Sequence, residues 1–375
     1  MKSGFMQHVR QYTMLIALVG IWLIFSILTQ GVFISPRNLS NLFLQTAAVA
    51  VITIGMTLII VTRNIDLSVG SVAALAGAVA AYLNVKMGWP AHTAILLACC
   101  AGLLIGVWHG FWIAYRLVPA FIVTLASMMI FRGAVLGITG GATIAPLSAG
   151  FKALGQHYIA PHWSAWLGII AIVLYVSLGL HKRFKRSKLG FQVSKLPVEL
   201  IKMVLISAAI GGFFMILVQN RGVPYAVFLV MLLAVAFNFM SRQTVFGRQL
   251  YAIGGNPDAA SLSGIDIKKQ VMFLYALFGV LTAVGGLVLT ARLNAATTSA
   301  GQGMELDVIA AAVIGGTSLM GGEGTIWGSV IGALIMASLD NGMSLMDTNI
   351  TYQYIIKGMI LLLAVWVDIA TRKKT

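Results

Sequence analysis

Residues 43–62 read FLQTAAVAVITIGMTLIIVT, a run of twenty residues without one charged side chain. A helix rises about 1.5 Å per residue, so this run would be about 30 Å long, which matches the hydrocarbon core of a bilayer. The run therefore predicts a helix that crosses a membrane.

The rest of the chain has the same character. Of its 375 residues, 59% are hydrophobic and 9% are charged, whereas a typical soluble domain has about 25% charged residues. So few charges cannot cover the surface of a soluble protein, and intrinsic disorder requires low hydrophobicity and high charge. We therefore expect an all-α protein, a polytopic helical bundle within a membrane.

The apolar runs predict up to twelve spans. Two of them, 305–320 and 325–339, are short and broken by glycine, which is typical of a broken or re-entrant hairpin. We therefore expect ten to twelve transmembrane helices in one domain over residues 1–375. The predicted spans are 14–33, 43–62, 67–83, 92–114, 120–139, 163–180, 201–219, 225–240, 271–291, 305–320, 325–339 and 353–368.

The net charge of +15 comes from 25 Lys and Arg residues that lie mainly between the apolar runs. At those positions they orient a membrane protein, and nucleic acid is not an expected partner. Most of them fall on the cytoplasmic side when both termini are placed in the cytoplasm. The basic cytoplasmic loop at 181–200 is expected to contact anionic membrane lipid, with a regulatory or docking role as the alternative.

The second cytoplasmic loop, 241–270, contains a predicted short helix. Asn256 suits an N-cap, Pro257 the first helical position, and Asp258 the first turn, where negative charge is favoured. Gly254 and Gly255, with left-handed backbone available to them, would end the preceding turn, and Gly264 would close the helix over 258–263. Such a helix could press on a soluble partner or could be only a well-made turn. The residues of this segment are Gly254, Gly255, Asn256, Pro257, Asp258, Ala259, Ala260, Ser261, Leu262, Ser263 and Gly264.

Several polar residues interrupt the apolar runs. Asp66 could cap the third span and pair with Arg63, or form a polar helix end beside a conduit. Arg132 lies deep in the span 120–139, where an unpaired charge is costly, so we expect it to pair with Glu305 or Asp307. The candidates for the translocation path, or for structural polar roles, are Asn64, Asp66, Ser68, Arg132, Glu305, Asp307, Asp340 and Asn341.

The glycine-rich segment GGTSLMGGEGTIWG, residues 315–328, predicts a tight helix hairpin. Lys357 lies near the outer end of the last span and is expected to snorkel. No phosphate loop and no GxSxG elbow occur, and the six His residues are scattered. The chain is therefore not expected to be an enzyme or to bind ATP, a cofactor or a metal.

The chain resembles the permease subunits of bacterial ABC importers for pentoses and related sugars. The resemblance extends from about residue 34 to the C-terminus, and the extra stretch at 163–219 makes the chain most similar to the xylose-type members. The matching stretches are NIDLSVGS at 64–71, PAFIVTLASMMIFRG at 119–133, FGRQLYAIGGNPDAASLSGI at 246–265, ELDVIAAAVIGGTSLMGGEGTIWG at 305–328 and DNGMSLM at 340–346.

This resemblance implies a multi-pass inner-membrane permease with a fold like that of vitamin B12 importers. It implies a homodimer that receives a monosaccharide, such as D-xylose or a similar pentose, from a periplasmic sugar-binding protein. It also implies that residues 256–264 form the coupling helix that docks on a cytoplasmic ABC ATPase subunit. The alternative is an ion-coupled secondary transporter of a small polar solute. Such a transporter needs ionisable groups near the midplane, and only Arg132 is predicted to lie deep.

Overall fold

The computed structural model describes residues 2–191 and 196–372, and most of them are helical. Helices α3 and α4 each continue into a π-helical turn, and two short strands pair antiparallel. The elements are α1 (Lys2–Leu28), α2 (Pro36–Val61), α3 (Val69–Ala81), α4 (Ala91–Gly110), α5 (Ala120–Thr139), α6 (Ala149–Gln156), β1 (Tyr158–Ile159), α7 (Pro161–Lys188), α8 (Leu196–Gln219), β2 (Val223–Pro224), α9 (Tyr225–Gln243), α10 (Val245–Gly255), α11 (Pro257–Leu262), α12 (Ile267–Leu293), α13 (Met304–Ile314), α14 (Ile326–Leu345) and α15 (Ile350–Arg372).

Within this described part, nine helices are long and apolar enough to cross a membrane. Met14–Leu28 and Ile350–Trp366 form two shorter apolar helical stretches. The nine helices and the two shorter stretches together give a number of candidate spans within the predicted ten to twelve. The prediction of an all-α polytopic membrane protein is therefore confirmed.

Helix α12 lies at the centre of the bundle and packs against α2, α3 and α4. The crossing of α12 and α4 is so close that a Cβ on Gly279 would overlap the backbone of Gly102 and Gly106. Small residues at helix crossings are typical of membrane bundles, because packing at short backbone distance stabilises association within lipid. Helix α2, which contains the run quoted first, is almost completely buried by its neighbours.

Helices α7 and α8 pack against each other at the edge of the bundle and expose most of their apolar side chains. The predicted loop at 181–200 is largely wrong, because α7 continues to Lys188 and α8 begins at Leu196. Cationic side chains are favoured in the last turn of a helix, and Arg183 forms an ion pair with Glu199 of α8. Residues 192–195 of that predicted loop lie outside the described residues.

The predicted glycine-rich hairpin is confirmed. Helix α13 is short, the loop 315–325 follows it, and α14 packs back against α13. The contact is close because a Cβ on Gly332 would overlap the carbonyl of Ala311, and one on Gly315 would contact Gly328 at 2.5 Å.

The bundle has two ends that carry different polar contacts. At the α6 end, the Ser148 amide donates to Asn84 Oδ1 at 3.0 Å, and Gln156 Nε2 donates to the Arg292 carbonyl at 3.1 Å. At the α11 end, the loop 315–325 meets the C-termini of α2 and α10. Helix α7 is 28 residues long, about 42 Å, so its basic C-terminus lies toward the α11 end.

Candidate functional site

The predicted helix at 258–263 is present, shifted by one residue to Pro257–Leu262. Asn256 is the N-cap, and its Oδ1 accepts a hydrogen bond from the Ala259 amide at 3.0 Å. Pro257 and Asp258 occupy the first turn, and Gly264 follows the helix with a φ of +82°. The local capping chemistry therefore identifies this helix correctly.

Helix α11 presents its surface to solvent. Asp258, Ala259, Ser261 and Ser263 are exposed, and the Leu262 side chain is 91% exposed, whereas Ala260 is buried. The helix is thus anchored on one side and leaves an apolar side chain uncovered on the other.

Asp266 fixes the connection from α11 to α12. Its Oδ1 accepts a hydrogen bond from the Lys269 amide at 3.1 Å, and its Oδ2 lies 3.1 Å from Lys269 Nζ. The backbone hydrogen bond from Lys269, followed by the side-chain bond, lowers the pKa of the Asp266 carboxyl. The N-terminus of α12 therefore retains a negative cap at neutral pH.

Arg63, at the C-terminus of α2, binds the residues just before α11. Its Nε donates to the Gly254 carbonyl at 2.7 Å, and a terminal nitrogen donates to the Gly255 carbonyl at 2.7 Å. The predicted pair between Arg63 and Asp66 is wrong, because the guanidinium points to these C-terminal carbonyls of α10. A cation is favoured there by the negative end of the helix dipole.

A glycine is needed at position 254 because other backbone atoms lie close to it, and not because the position requires a left-handed backbone conformation. Both Gly254 and Gly255 remain in α10, and neither takes the left-handed conformation that the sequence predicts. A Cβ on Gly254 would overlap the Val61 carbonyl oxygen and lie 2.6 Å from the Gly322 amide nitrogen. A Cβ on Gly255 would meet nothing within 4 Å.

The loop 315–325 completes this contact. The Gly322 amide donates to the Val61 carbonyl at 2.9 Å, and the Tyr251 hydroxyl donates to the Gly324 carbonyl at 2.8 Å. Burial raises the pKa of Tyr251, so the hydroxyl remains a donor at neutral pH. The ends of α2 and α10 and this loop are thus joined, an arrangement that sequence reasoning missed although the glycine-rich run was visible.

Asp66 and Ser68 are buried beside α4. Asp66 Oδ1 accepts hydrogen bonds from the Ser68 amide at 2.7 Å and hydroxyl at 2.6 Å, and Asp66 Oδ2 lies 3.5 Å from His109 Nδ1. Asp66 therefore forms a turn with Ser68, which is itself the N-cap of α3. Asp66 and His109 are each about 2% exposed, so the protein also buries an ionisable pair at this position.

A cavity of about 530 Å³ separates α11 from the ends of α2 and α4. Asn64 and Thr62 line it on one side, and Pro257, Ser261 and Lys268 on the other. The Asn64 side-chain amide donates to the Thr62 carbonyl at 3.2 Å. Asn64 is therefore placed beside α11, which groups it with residues 254–264.

The predicted partner of Arg132 is also wrong. Its guanidinium donates to the carbonyls of Thr298 at 3.1 Å and Ala300 at 2.9 Å, in the turn that precedes α13. Backbone carbonyls at the end of a turn satisfy the cation without a carboxylate. Arg132 still ties α5 to the second half of the chain, as expected, but by a different contact.

The carboxylates of α13 and α14 bind Lys357 instead. Its Nζ lies 3.1 Å from Asp307 Oδ2 and 2.8 Å from Asp340 Oδ2, so Lys357 is partly buried, forms two ion pairs and does not snorkel. Asn341 exchanges hydrogen bonds with Asn38 of α2 at 2.8 and 3.2 Å. Glu305 lies near Gly70 of α3, where an added Cβ would be 2.6 Å from its Oε2.

The candidate residues thus form two groups. Asn64, Asp66 and Ser68 lie toward the α11 end with residues 254–264. Arg132, Asp307, Asp340 and Asn341 lie toward the α6 end, whereas Glu305 lies against Gly70 near the start of α3 and thus between the two groups. Among residues 2–191 and 196–372, no group of three His, Cys, Asp or Glu side chains is placed to hold a metal ion.

Apolar helices around a tightly packed centre, with a capped helix exposed at one end, define a multi-pass membrane protein. The chain belongs to the family described as "Branched-chain amino acid transport system / permease component", whose profile matches residues 38–197 and 199–365.

Characterised relatives cover almost the whole chain. It is 47% identical to the xylose transport system permease protein XylH of Haemophilus influenzae over 98% of each chain. It is 45% identical to the protein of the same name from Escherichia coli, over 98% of this chain and 94% of that one. The ribose import permease protein RbsC of Escherichia coli is 36% identical over 94% of this chain and 92% of its own. No solved structure matches the chain.

Proposed function

We propose that the chain is the permease subunit of an ATP-driven importer that carries D-xylose or a similar pentose across the inner membrane. The observation that carries this proposal is the identity of 47% and 45%, over 98% of the chain, to proteins named for xylose transport. Identity to the ribose import permease is lower, at 36%, which favours xylose over ribose. The chain itself is the non-catalytic subunit, and a partner chain hydrolyses ATP.

Helix α11 is the coupling helix in this proposal. Its exposed surface would seat in a groove of the cytoplasmic ATPase subunit, with Leu262 covered by that partner. Movement of α11 would reach α2 through Arg63 and Gly254, and would reach the α13–α14 hairpin through Gly322. These contacts support a path by which an event at the ATPase displaces transmembrane helices.

The remaining parts of the proposal follow from the family resemblance and the charge pattern. A periplasmic sugar-binding protein delivers the sugar at the α6 end, and two copies of the chain pair around a central path. The fold is of the vitamin B12-importer type in one transmembrane domain over residues 1–375. Both termini lie in the cytoplasm, and the basic residues near 181–200 contact anionic lipid.

An ion-coupled transporter is the weaker alternative. Two sets of ionisable side chains within the bundle pair with one another, Asp66 with His109 and Lys357 with Asp307 and Asp340. Charges paired in this way fit a structural role or a neutral solute better than a site left open for a cation. The names of the relatives also favour a component of a multi-subunit transport system.

Reconstitution into proteoliposomes tests the proposal. The permease together with its ATPase and its sugar-binding protein should take up radiolabelled D-xylose when ATP is supplied on the ATPase side. Omission of any one component should abolish uptake. Uptake by the permease alone, driven by an ion gradient, would support the alternative and contradict the proposal.

A further inference from the structure

A second cavity, of about 300 Å³, lies between α2, α12, α13 and α14 toward the α6 end. Gln45 of α2, Arg292 of α12, Asp307 of α13 and Asp340 of α14 contribute polar side chains to its wall. Ligand pockets of proteins begin at about this size, and a few convergent polar groups usually fix the ligand within them. The cavity is thus large enough for a small solute.

The wall has hydrogen-bonding capacity that the protein does not use. Lys357 holds Oδ2 of both carboxylates, whereas Oδ1 of Asp307, Oδ1 of Asp340 and Nε of Arg292 are buried without a hydrogen-bond partner. A buried polar atom without a hydrogen-bond partner destabilises the fold. Two acceptors and one donor therefore remain for a ligand that offers both kinds of group.

The atoms left unpaired in this cluster indicate which ligand it suits. Both carboxylates already pair with Lys357, and Arg292 lies in the same wall. The unpaired atoms include acceptors and a donor, and the hydroxyl groups of a sugar both donate and accept hydrogen bonds without adding charge.

The cavity is also connected to the α11 end. Its walls include α13 and α14, and the loop between these helices donates from Gly322 to the Val61 carbonyl beside Gly254. A displacement of α11 would therefore be transmitted through the hairpin to the side chains of Asp307 and Asp340.

We propose that the cavity bounded by Arg292, Asp307 and Asp340 binds a neutral monosaccharide on its way through the permease, with Lys357 as a positioning residue. This inference rests on the proposed function and adds to it a site within the membrane. Because the hairpin forms part of the wall, the site would change shape when the ATPase moves α11.

Protection of an introduced thiol tests the site directly. Ser344 is exposed and lines the cavity, whereas Ser148 is exposed at the same end outside it. The full chain would carry Ser344→Cys, or Ser148→Cys as control, after Cys99 and Cys100 are replaced by Ala. Labelling by a small thiol reagent is followed with D-xylose, L-leucine or sodium chloride present.

D-xylose should slow labelling of the Ser344→Cys protein several-fold and leave the Ser148→Cys control unchanged, and L-leucine and salt should have no effect. Arg292→Gln, which leaves both ion pairs of Lys357 intact, and Asp340→Asn should abolish this protection. In the reconstituted complex, each of these two substitutions should raise the KM for D-xylose uptake about tenfold. This is the change expected for the loss of one hydrogen bond to a charged group.

The inference is overturned if the wild-type complex imports D-xylose but the sugar does not protect Ser344→Cys, or protects Ser148→Cys equally. It is also overturned if L-leucine or salt protects as well as D-xylose. In these cases the proposed function stands. If the wild-type complex imports no D-xylose, the proposed function fails and the inference fails with it.

Discussion

Two adjacent glycines offer a matched pair of substitutions before the proposed coupling helix. Gly254 and Gly255 are the last residues of α10, and alanine has a higher helix propensity than glycine. Gly255→Ala should therefore be neutral or stabilise the permease by up to about 1 kcal/mol. Only Gly254 lies against another backbone, so the two variants separate helix propensity from packing.

The magnitude for Gly254→Ala follows from its neighbours. The new Cβ would overlap the Val61 carbonyl and lie 2.6 Å from the Gly322 nitrogen, whereas ordinary contact begins at 3.4 Å. The segments would have to separate, which weakens the bond between Gly322 and Val61 and those from Arg63. Overpacking costs about 1–3 kcal/mol and a hydrogen bond about 1 kcal/mol, so we expect a loss of about 2–4 kcal/mol.

The assay has two stages. Thermal unfolding of each purified variant in detergent should give a lower Tm for Gly254→Ala and an unchanged or higher Tm for Gly255→Ala. In the reconstituted complex, Gly254→Ala should take up less D-xylose per ATP hydrolysed, because α11 no longer moves with α2. Equal Tm values and equal coupling for the two variants would refute the assigned contact between α10, α2 and the loop 315–325.

Three further substitutions test other parts of the account. Asp258→Arg should reduce co-purification of the ATPase while membrane insertion stays intact, and an unchanged yield of ATPase would contradict the coupling assignment. Arg63→Gln removes two hydrogen bonds of an exposed guanidinium, of about 1 kcal/mol each, so Tm and coupling should both fall. A wild-type ratio of uptake to hydrolysis would argue against this role of Arg63. Lys357→Met leaves two partly buried carboxylates uncompensated and should cost about 1–3 kcal/mol, whereas the exposed control Lys269→Met should cost less than about 1 kcal/mol. Similar Tm values for both variants would be inconsistent with the ion pairs of Lys357.

Local chemistry predicts local structure well in this chain. The apolar runs locate most of the helices, because length and hydropathy are set by the bilayer. Helix α11 is located to within one residue, because Asn256, Pro257 and Gly264 each act on their own neighbours. The hairpin at 305–339 is also foreseen, because glycine at that density interrupts any helix.

The pairing of distant polar residues could not be predicted in the same way. The sequence predicts a carboxylate partner for Arg132, yet two backbone carbonyls accept its hydrogen bonds, and carbonyls have no signature in a sequence. Arg63 has Asp66 three residues away but binds residues about 190 positions further along the chain. Such partners depend on how the helices are packed, and hydropathy does not determine that packing.

The central claim is that a partner on the cytoplasmic face drives this permease through α11. The most direct test is to measure on which side of the membrane α11 lies. Leu262→Cys, in a chain without Cys99 and Cys100, can be labelled with a membrane-impermeant thiol reagent in membranes of either orientation. We predict labelling only from the cytoplasmic face and its loss when the ATPase is bound, while Ser148→Cys is labelled only from the opposite face. Labelling of Leu262→Cys from outside, or equal labelling with and without the ATPase, would contradict the account.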